Sequence, residues 1–391
     1  MRRTISTLFG ITLLSAASVS VAAEIDVMTQ NQYLGADLTP VVGAATAVPF
    51  DPAKFSQAVV QALTGIAATR PAERAQALAA EIAQRRPDVV GLQEAYTFAC
   101  APYPGYPTLP GMGCDDPSIR DAFLDKLQST VTALRGRYFV AGKVTNLNVN
   151  ALPFMIHDYP AVLTVIDRDA ILVRAGLSAT AVDFGAMGAC AKPSEQGCNY
   201  QTTIPPFDTP LGPIAVERGF LAVDVAVGAR AYRVFNTHLE QRLLAPTLPE
   251  TRLLQVGQAA ELVTIALATW DQQRTLIVVG DINSAPEDVI EAPYPPAPTP
   301  YQLLAGNGFT DAWTMRPNPE PGLTCCQAED LTNRGSVLYE RIDMIFSFEL
   351  PQRVLNMKVL GATMGDKTRP PGNGGLWPSD HAALAAKLQF D

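Results

Sequence analysis

Several features that often reveal a protein's chemistry are missing from this 391-residue sequence. No Gly-x-Ser-x-Gly segment indicates a serine hydrolase, and no glycine-rich loop ending in Lys-Ser or Lys-Thr indicates a nucleotide site. There is no internal repeat and no heptad series. Beyond the N-terminus, no segment is long and apolar enough to cross a bilayer. The chemistry must therefore come from dispersed residues.

Charge is also scarce. Only 17% of the residues are charged, the formal net charge is −9 and the sequence pI is about 5.0. A protein that coats nucleic acid needs a basic face, so this balance argues against that class, although a nuclease with a local basic groove stays open. The hydrophobic share of 48% is that of a globular protein with a large core. No linker interrupts the chain, which predicts one domain over residues 24–391.

The N-terminus has the pattern of an export signal. Arg2 and Arg3 precede a short apolar run, and small residues follow, which predicts a signal peptide over residues 1–23 with cleavage near Ala22 or Ala23. The apolar run is too short for a comfortable membrane span. We therefore expect a secreted or periplasmic bacterial protein.

The cysteines suit the oxidising compartment that such a signal implies. Proximity favours the pairs Cys100–Cys114 and Cys190–Cys198, and the adjacent Cys325 and Cys326 can form a vicinal disulfide. A zinc site is a poor alternative, because the spacings do not match zinc motifs and no histidine lies near these cysteines.

Apolar strand-like runs and amphipathic helix-like runs follow one another in an irregular order. This order predicts two packed β-sheets with helices outside them. The predicted helices cover Lys54–Leu63, Pro71–Arg86, Ser118–Leu134 and Thr251–Thr269.

Six segments share one design, in which polar side chains sit at or just beyond the end of an apolar strand. Strand ends are where a rigid sheet can hold side chains over a cleft. The segments are Thr29–Tyr33, Gly91–Glu94, Asn236–Leu239, Gly280–Asn283, Arg341–Asp343 and Ser379–His381.

Strand geometry and composition refine this pattern. Side chains two residues apart point the same way on a strand, so Asp281 and Asn283 share a face if the strand pitch continues past its end. The same segment also suits a simple turn built by Asp, Asn and Gly. Asp380 and His381 can reach one site only if the chain turns between them.

Histidine is the more informative residue type, because the chain has only three. His157 has no motif context and is expected to be structural or solvated. His238 and His381 each lie in one of the six segments, which weakens the ordinary interpretation of a satisfied core histidine. Asp343, if it points inward, needs a partner, and a histidine would serve.

Taken in order from Asn31 to His381, the six segments resemble the endonuclease/exonuclease/phosphatase superfamily, which includes pancreatic-type deoxyribonuclease and bacterial sphingomyelinases. The nearest resemblance is to secreted bacterial sphingomyelinases, through the Thr29–Tyr33 segment, Thr237-His238-Leu239, Arg218-Gly219-Phe220 and Arg252 with Gln255. It implies a four-layer α/β/β/α sandwich with two central mixed sheets. We expect the protein to be a monomer.

The resemblance also implies a metal centre. Glu94, helped by Asn31, would hold Mg²⁺ or Mn²⁺ against a phosphate oxygen, and Asp380 would bind the ion directly or through water. The reaction implied is hydrolysis of a phosphate ester by an in-line water.

The remaining residues would handle the water and the phosphate. Asp281, positioned with Asn283, would orient or deprotonate the water. His381, paired with Asp343, would donate hydrogen bonds to the phosphate, and His238 would be a second phosphate ligand or the acid at the leaving group.

Three hypotheses follow for the function. The first is a phosphodiesterase acting on a phospholipid headgroup at a membrane surface, the second is a secreted nuclease on DNA or RNA, and the third is a non-catalytic binding module. Exposed aromatic residues near Trp377 would favour lipid, and a basic groove around Arg218 and Arg252 would favour nucleic acid. The six intact segments argue against the third hypothesis.

Overall fold

A computed structural model describes residues 23–242, 251–290, 296–317, 320–368 and 374–391. The signal peptide predicted over residues 1–23 therefore lies, apart from Ala23, outside the described residues. Within these described ranges, none of the helices combines the length and apolarity needed to cross a membrane.

The helices are amphipathic segments that pack on the outside of the sheets. In the third of them Pro71 takes the first turn, where its missing N–H costs nothing, and Leu78 and Ile82 on one face are buried. The helices are α1 Thr39–Ala45, α2 Pro52–Ala68, α3 Pro71–Arg85, α4 Lys126–Ala133, α5 Thr251–Ala268 and α6 Pro300–Gly306.

The helix predicted over Ser118–Leu134 is wrong in its first half. A short 3₁₀ turn occupies Arg120–Ala122, and the helix begins only after Asp125, whose side chain caps it by accepting the Gln128 N–H at 2.8 Å. The Asp125 cap, and not the apolar periodicity of the sequence, therefore determines where this helix begins.

The described residues contain fifteen strands, six of which the sequence did not predict: Thr97–Pro102, Tyr138–Ile156, Ser178–Ala181, Pro193–Ser194, Gly197–Asn199 and Thr310–Asp311. In chain order they are β1 Ala23–Asn31, β2 Val89–Gln93, β3 Thr97–Pro102, β4 Tyr138–Ile156, β5 Tyr159–Arg174, β6 Ser178–Ala181, β7 Pro193–Ser194, β8 Gly197–Asn199, β9 Gly219–Val227, β10 Arg230–His238, β11 Arg274–Asp281, β12 Thr310–Asp311, β13 Asp343–Ser347, β14 Arg353–Leu360 and β15 Ala383–Phe390.

These strands form two mixed sheets. The first has the order β14-β15-β1-β2-β5-β3, with β4 paired to β5, and the second has the order β12-β13-β11-β10-β9-β8-β7, with β6 paired to β9. Pairing is parallel between β1 and β2 and between β10 and β11. The predicted pair of packed mixed sheets is confirmed.

The main core lies between the two sheets, where Val27 and Ile171 of the first sheet pack with Val234 and Ile277 of the second. Three further cores lie between the outer faces of the sheets and the helices, beneath α2, α3 and α5. Helices, sheet, sheet and helices therefore form four layers.

The sheets approach closely at Gly91 on β2. A Cβ added there would lie 2.5 Å from Asn236 Oδ1 and 2.7 Å from Val279 Cγ2, so only glycine fits. Asn236 bridges the sheets by donating to the carbonyl oxygens of Leu92 at 3.0 Å and Ala170 at 3.1 Å. The side chain of Asn236, which lies in one of the six segments, therefore joins the two sheets.

The cysteines pair as proximity predicts. Disulfides join Cys100 to Cys114, Cys190 to Cys198, and Cys325 to its neighbour Cys326.

The sheet topology collects the strand ends at one edge. Parallel pairing brings together the C-terminal ends of β1 and β2 in one sheet and of β10 and β11 in the other, with His238 directly beside Asp281. The antiparallel strand β13 starts at the same edge, with Asp343 opposite Asp281.

Candidate active site

Asp281 lies at the centre of this edge. It ends β11 and is almost fully buried. Its Oδ2 lies 3.1 Å from Asn31 Nδ2, 3.6 Å from His238 Nε2 and 3.8 Å from His381 Nδ1. Four of the predicted site residues, drawn from both sheets, therefore meet within contact distance.

His381 and Asp343 form a buried pair. His381 Nδ1 lies 2.8 Å from Asp343 Oδ2. Burial alone would lower the pKa of His381, but the carboxylates of Asp343, Asp380 and Asp281 outweigh it and raise that pKa well above its ordinary value. The ring is therefore a charged hydrogen-bond donor held by Asp343. The inward-pointing carboxylate of Asp343 thus has a histidine as its partner.

Glu94 stands at the end of β2 with a left-handed backbone, φ 53°. Its Oε1 accepts from Asn31 Nδ2 at 3.1 Å, and its Oε2 accepts the Leu34 N–H at 2.7 Å. The Oδ1 atom of Asn31 accepts the Tyr33 N–H at 2.9 Å. Asn31 thus orients two carboxylates, those of Glu94 and Asp281, with one amide.

The chain turns before β15, as it must if Asp380 and His381 are both to reach one site. Ser379 Oγ donates to the Asn31 carbonyl at 2.7 Å and accepts the His381 N–H at 3.2 Å, which ties this turn to the end of β1. Burial raises the pKa of Asp380 to about 6, with His381 opposing the shift and Glu94 adding to it.

Asn283 does not share a strand face with Asp281, because β11 ends at Asp281 and Asn283 has φ 48°. The segment is the turn that its composition also allowed. The Asn283 N–H donates to Asp281 Oδ1 at 2.9 Å, and its side chain donates to the Leu239 carbonyl at 2.9 Å. Asn283 therefore holds Asp281 through its backbone.

His238 is almost fully buried beside a charged pair. Arg218 Nη1 lies 3.1 Å from His238 Nδ1, and the same guanidinium donates to Glu240 Oε1 through Nε at 3.2 Å and Nη2 at 3.0 Å. Burial lowers the pKa of His238 well below its ordinary value, and the charges of Arg218 and His381 lower it further.

Solved structures with this arrangement of sheets and helices are known. A family protein of the endonuclease/exonuclease/phosphatase type from Bacteroides thetaiotaomicron aligns with a TM-score of 0.51 and 15% identity over 95% of this chain and 99% of that one. The endonuclease/exonuclease/phosphatase from Beutenbergia cavernae DSM 12333 aligns at 0.49 and 16% over 94% and 72%. No protein-family model and no curated protein sequence matches the chain.

The chain has the endonuclease/exonuclease/phosphatase fold. The predicted sandwich is thereby confirmed, while the sphingomyelinase-like subtype stays a prediction. On this fold the eight predicted residues come from strand ends and turns of both sheets.

Two residues named as indicators of the substrate, Trp377 and Arg218, are buried. Trp377 is fully buried and donates from its indole to the Asn333 carbonyl at 2.9 Å, so it offers no aromatic surface. Arg218 is buried in its pair with Glu240, so it cannot contribute to a basic groove. Trp377 and Arg218 therefore do not decide between lipid and nucleic acid, and Arg252, the other arginine of the basic groove, is partly exposed.

Three of the predicted residues carry oxygen donors suited to a hard cation, although Oδ1 of Asn31 already accepts the Tyr33 N–H. Asn31, Glu94 and Asp380 supply amide and carboxylate oxygens, and the Glu94 side chain is partly open to solvent. Asp281, Asp343 and His381 also bring ligand atoms within 4.8 Å of one another. In that second cluster, however, the nitrogen facing the carboxylates is already engaged by Asp343.

Other polar residues that support the site were not predicted. Arg74 of α3 donates to the carbonyls of Gln32 at 3.0 Å and Pro378 at 3.3 Å, which fixes two loops that carry site residues. Asp167 and Asp169, two residues apart on β5, are fully buried. Charged residues inside an apolar alternating strand were the available signal for this acidic pair.

Proposed function

We propose that this chain is a secreted, divalent-metal-dependent phosphodiesterase that hydrolyses a lipid headgroup ester by in-line attack of water. The observation that carries the proposal is the meeting of Asp281 with the His381–Asp343 pair at one buried strand edge, beside the carboxylate of Glu94. A proton acceptor, a charged donor and a set of hard oxygen ligands then face one small volume.

The roles follow from the contacts. Burial first, and then Asp343, raise the pKa of Asp281 to about 7, while His381 opposes them. A carboxylate with this pKa accepts a proton from water more readily than an ordinary aspartate does. His381 donates hydrogen bonds to a phosphate oxygen, where it offsets developing negative charge.

Asn31, Glu94 and Asp380 would hold the metal ion. Burial and the negative charge of Glu94 both disfavour the ionised form of Asp380, and a cation between the two carboxylates would relieve that repulsion. When bound, Mg²⁺ or Mn²⁺ supplies charge neutralisation and orientation at a phosphate oxygen. The protein residues keep the tasks of positioning the substrate and moving the proton.

Secretion is part of the proposal. It is supported by the charged and apolar N-terminal pattern and by the six cysteines, which pair in three disulfides.

An apolar cavity of about 120 Å³ favours a lipid over a nucleic acid. Among its lining residues only Thr46 and Thr209 are polar, and none is charged. The others are Leu38, Val41, Val42, Ala45, Phe55, Val59, Ala62, Leu63, Ile66, Phe98, Leu147, Val149, Leu152, Leu163, Val165, Phe207, Ile214 and Val216.

Two residues of the cavity wall lie close in sequence to residues that contact Glu94. Leu38 follows Leu34, whose N–H binds Glu94, by four residues. Phe98 stacks on Tyr96 with ring centroids 5.5 Å apart, and the Tyr96 N–H binds the Glu94 carbonyl at 2.8 Å. An alkyl segment in this cavity gains from the apolar wall, whereas a polyanionic strand gains nothing from it.

A substrate panel tests the proposal. Phosphatidylcholine and sphingomyelin vesicles, DNA, RNA and bis(p-nitrophenyl) phosphate are incubated with the enzyme, with and without Mg²⁺. We expect hydrolysis of the vesicle lipids and of the chromogenic diester, and loss of both in Asp281→Asn. Cleavage of DNA or RNA alone would instead identify a nuclease, and no cleavage of any substrate would favour a binding module.

The cavity has its own test. A series of p-nitrophenyl phosphodiesters with longer alkyl groups should show KM falling as the chain lengthens. Ala62→Phe, which fills the cavity, should flatten that series, while the matched variant Ala53→Phe on the exposed start of α2 should keep it. A KM that does not depend on chain length in the wild-type enzyme would refute the lipid assignment.

A further inference from the structure

We infer that Arg218 is a positioning residue, which fixes the proton of His238 on Nε2 and makes this ring a neutral hydrogen-bond donor to the substrate. The inference starts from the contact between Arg218 Nη1 and His238 Nδ1, 3.1 Å apart. A guanidinium has only donors and stays charged, so the ring nitrogen that it contacts must accept. The proton of the neutral ring therefore lies on Nε2.

The guanidinium cannot turn away from this contact easily. Glu240 Oε1 accepts from its Nε and Nη2 atoms, and both side chains are buried. Glu240 is held in turn, because its backbone N–H donates to Gln258 Oε1 at 2.8 Å and its carbonyl accepts from Gln255 Nε2 at 3.0 Å. Gln255 and Gln258 of α5 thus hold Glu240, which in turn holds the Arg218 guanidinium.

The other nitrogen of the ring faces the reaction. His238 Nε2 lies 3.6 Å from Asp281 Oδ2, too far for a good hydrogen bond, so its proton remains available to a substrate oxygen. The charged groups around the ring are Arg218 at Nδ1, Asp281 at Nε2, and His381, which adds positive charge from the turn before β15. Two cations therefore face His238, and both oppose its protonation.

This arrangement separates the two site histidines by role. His381, held by the carboxylate of Asp343, is the charged member, and His238, held by Arg218, is the neutral member. Resting on the proposed function, the inference assigns His238 as a phosphate ligand and not as the acid that protonates the leaving group.

Nitrogen NMR of the full chain labelled with ¹⁵N-histidine tests the inference without any substrate. Because the chain has three histidines, the spectrum is simple, and His157→Asn removes the exposed one. We expect His238 Nδ1 to resonate as an unprotonated nitrogen and Nε2 as a protonated one at neutral pH. A proton on Nδ1, or on both nitrogens, would overturn the inference.

A variant series adds the kinetic consequence. The double variant Arg218→Gln with Glu240→Gln removes both charges of this buried pair, and it should lose the fixed tautomer. It should also lower kcat on the order of 10–10²-fold with a smaller change in KM. Arg218→Lys, which keeps a charged donor, should restore the tautomer and much of kcat.

The His381 signals serve as the folding control, since that ring should stay doubly protonated in every variant. A double variant that keeps the wild-type His238 spectrum and kcat would refute the positioning role. If the double variant does not fold, the wild-type spectrum still decides the tautomer. If the wild-type enzyme shows the expected tautomer but cleaves no phosphodiester, the proposed function fails and the tautomer assignment stands.

Discussion

Asp281 and Asp343 lie directly opposite each other on the antiparallel strands β11 and β13. Two like charges in that register repel, and both side chains are buried. The repulsion is relieved by His381, whose Nδ1 lies 2.8 Å from Asp343 Oδ2 and 3.8 Å from Asp281 Oδ2. The charged ring of His381 therefore pairs with Asp343, and Asp281 remains the carboxylate that can exchange a proton near neutral pH.

This division predicts the pH dependence of activity. With a pKa raised to about 7, Asp281 is protonated below that value and cannot accept a proton from water, so kcat/KM should rise as the pH increases through about 7. Asp281→Asn should lower kcat by roughly 10²–10⁴-fold and remove the rising limb. A pH series on both proteins provides the measurement.

Asp158→Asn is the matched control, because Asp158 lies exposed in the turn between β4 and β5. It should retain the wild-type profile. An Asp281→Asn enzyme with an unchanged pH profile would exclude Asp281 as the base.

The oxygen donors predict metal dependence. A chelator should abolish hydrolysis, and Mg²⁺ or Mn²⁺ should restore it, because carboxylate and amide oxygens prefer hard cations. Calorimetric titration should show Mg²⁺ binding that Glu94→Gln and Asp380→Asn each weaken, whereas the exposed control Glu287→Gln should bind as the wild type does. Full activity after exhaustive chelation and dialysis would contradict this prediction.

The position of the site residues at strand ends could be predicted from the sequence for a physical reason. A strand buried on both faces is a continuous apolar run, so the polar residue that ends it is conspicuous, as Asp281 is after Leu276–Val279. Parallel pairing then brings such ends to one edge, and no long-range information is needed to expect them together.

The parts that sequence could not predict depend on contacts between distant residues. The strand β4 carries many polar side chains, and its pairing with β5 shifts register at several points, so the alternation that reveals a strand is blurred. Asn236 looked like a site residue, but the contact across the sheets to Leu92 and Ala170 determines its role. The Arg218–Glu240 pair spans 22 residues and has no local signature.

A second pH effect should appear in stability. Both carboxylate oxygens of Glu81 are buried without a hydrogen-bond partner, and burial, with Asp366 adding to it, raises the pKa of Glu81 to about 8. The unfolded pKa of Glu81 is near 4.5, so between pH 4.5 and about 8 the folded state binds more protons than the unfolded state. The free energy of unfolding therefore falls as the pH rises through that window.

Glu81→Gln should therefore be more stable than the wild type at pH 8–9, by about 1–3 kcal/mol, and similar to it near pH 4. Chemical denaturation at several pH values measures the difference. An effect of the same size and sign at every pH would show that packing, and not ionisation, is responsible.

The last prediction concerns His381 and Asp343 as a unit. If Asp343 orients the ring and keeps it charged, then His381→Ala and Asp343→Asn should each lower kcat by roughly 10²–10⁴-fold. The double variant should lose much less than the product of the two single losses, because either change already disables the pair. Turnover of all three variants on the chromogenic diester gives the coupling.

A purely structural role for Asp343 makes a different prediction. The Asp343 N–H and the Ile342 N–H both donate to Thr324 Oγ1 at 3.2 Å, so the strand start has backbone contacts of its own. If Asp343 only stabilised that start, Asp343→Asn would lower the thermal midpoint and leave kcat of the folded fraction nearly intact. Thermal midpoints measured beside the kinetics separate the two roles, and normal turnover in either single variant would rule out the pair.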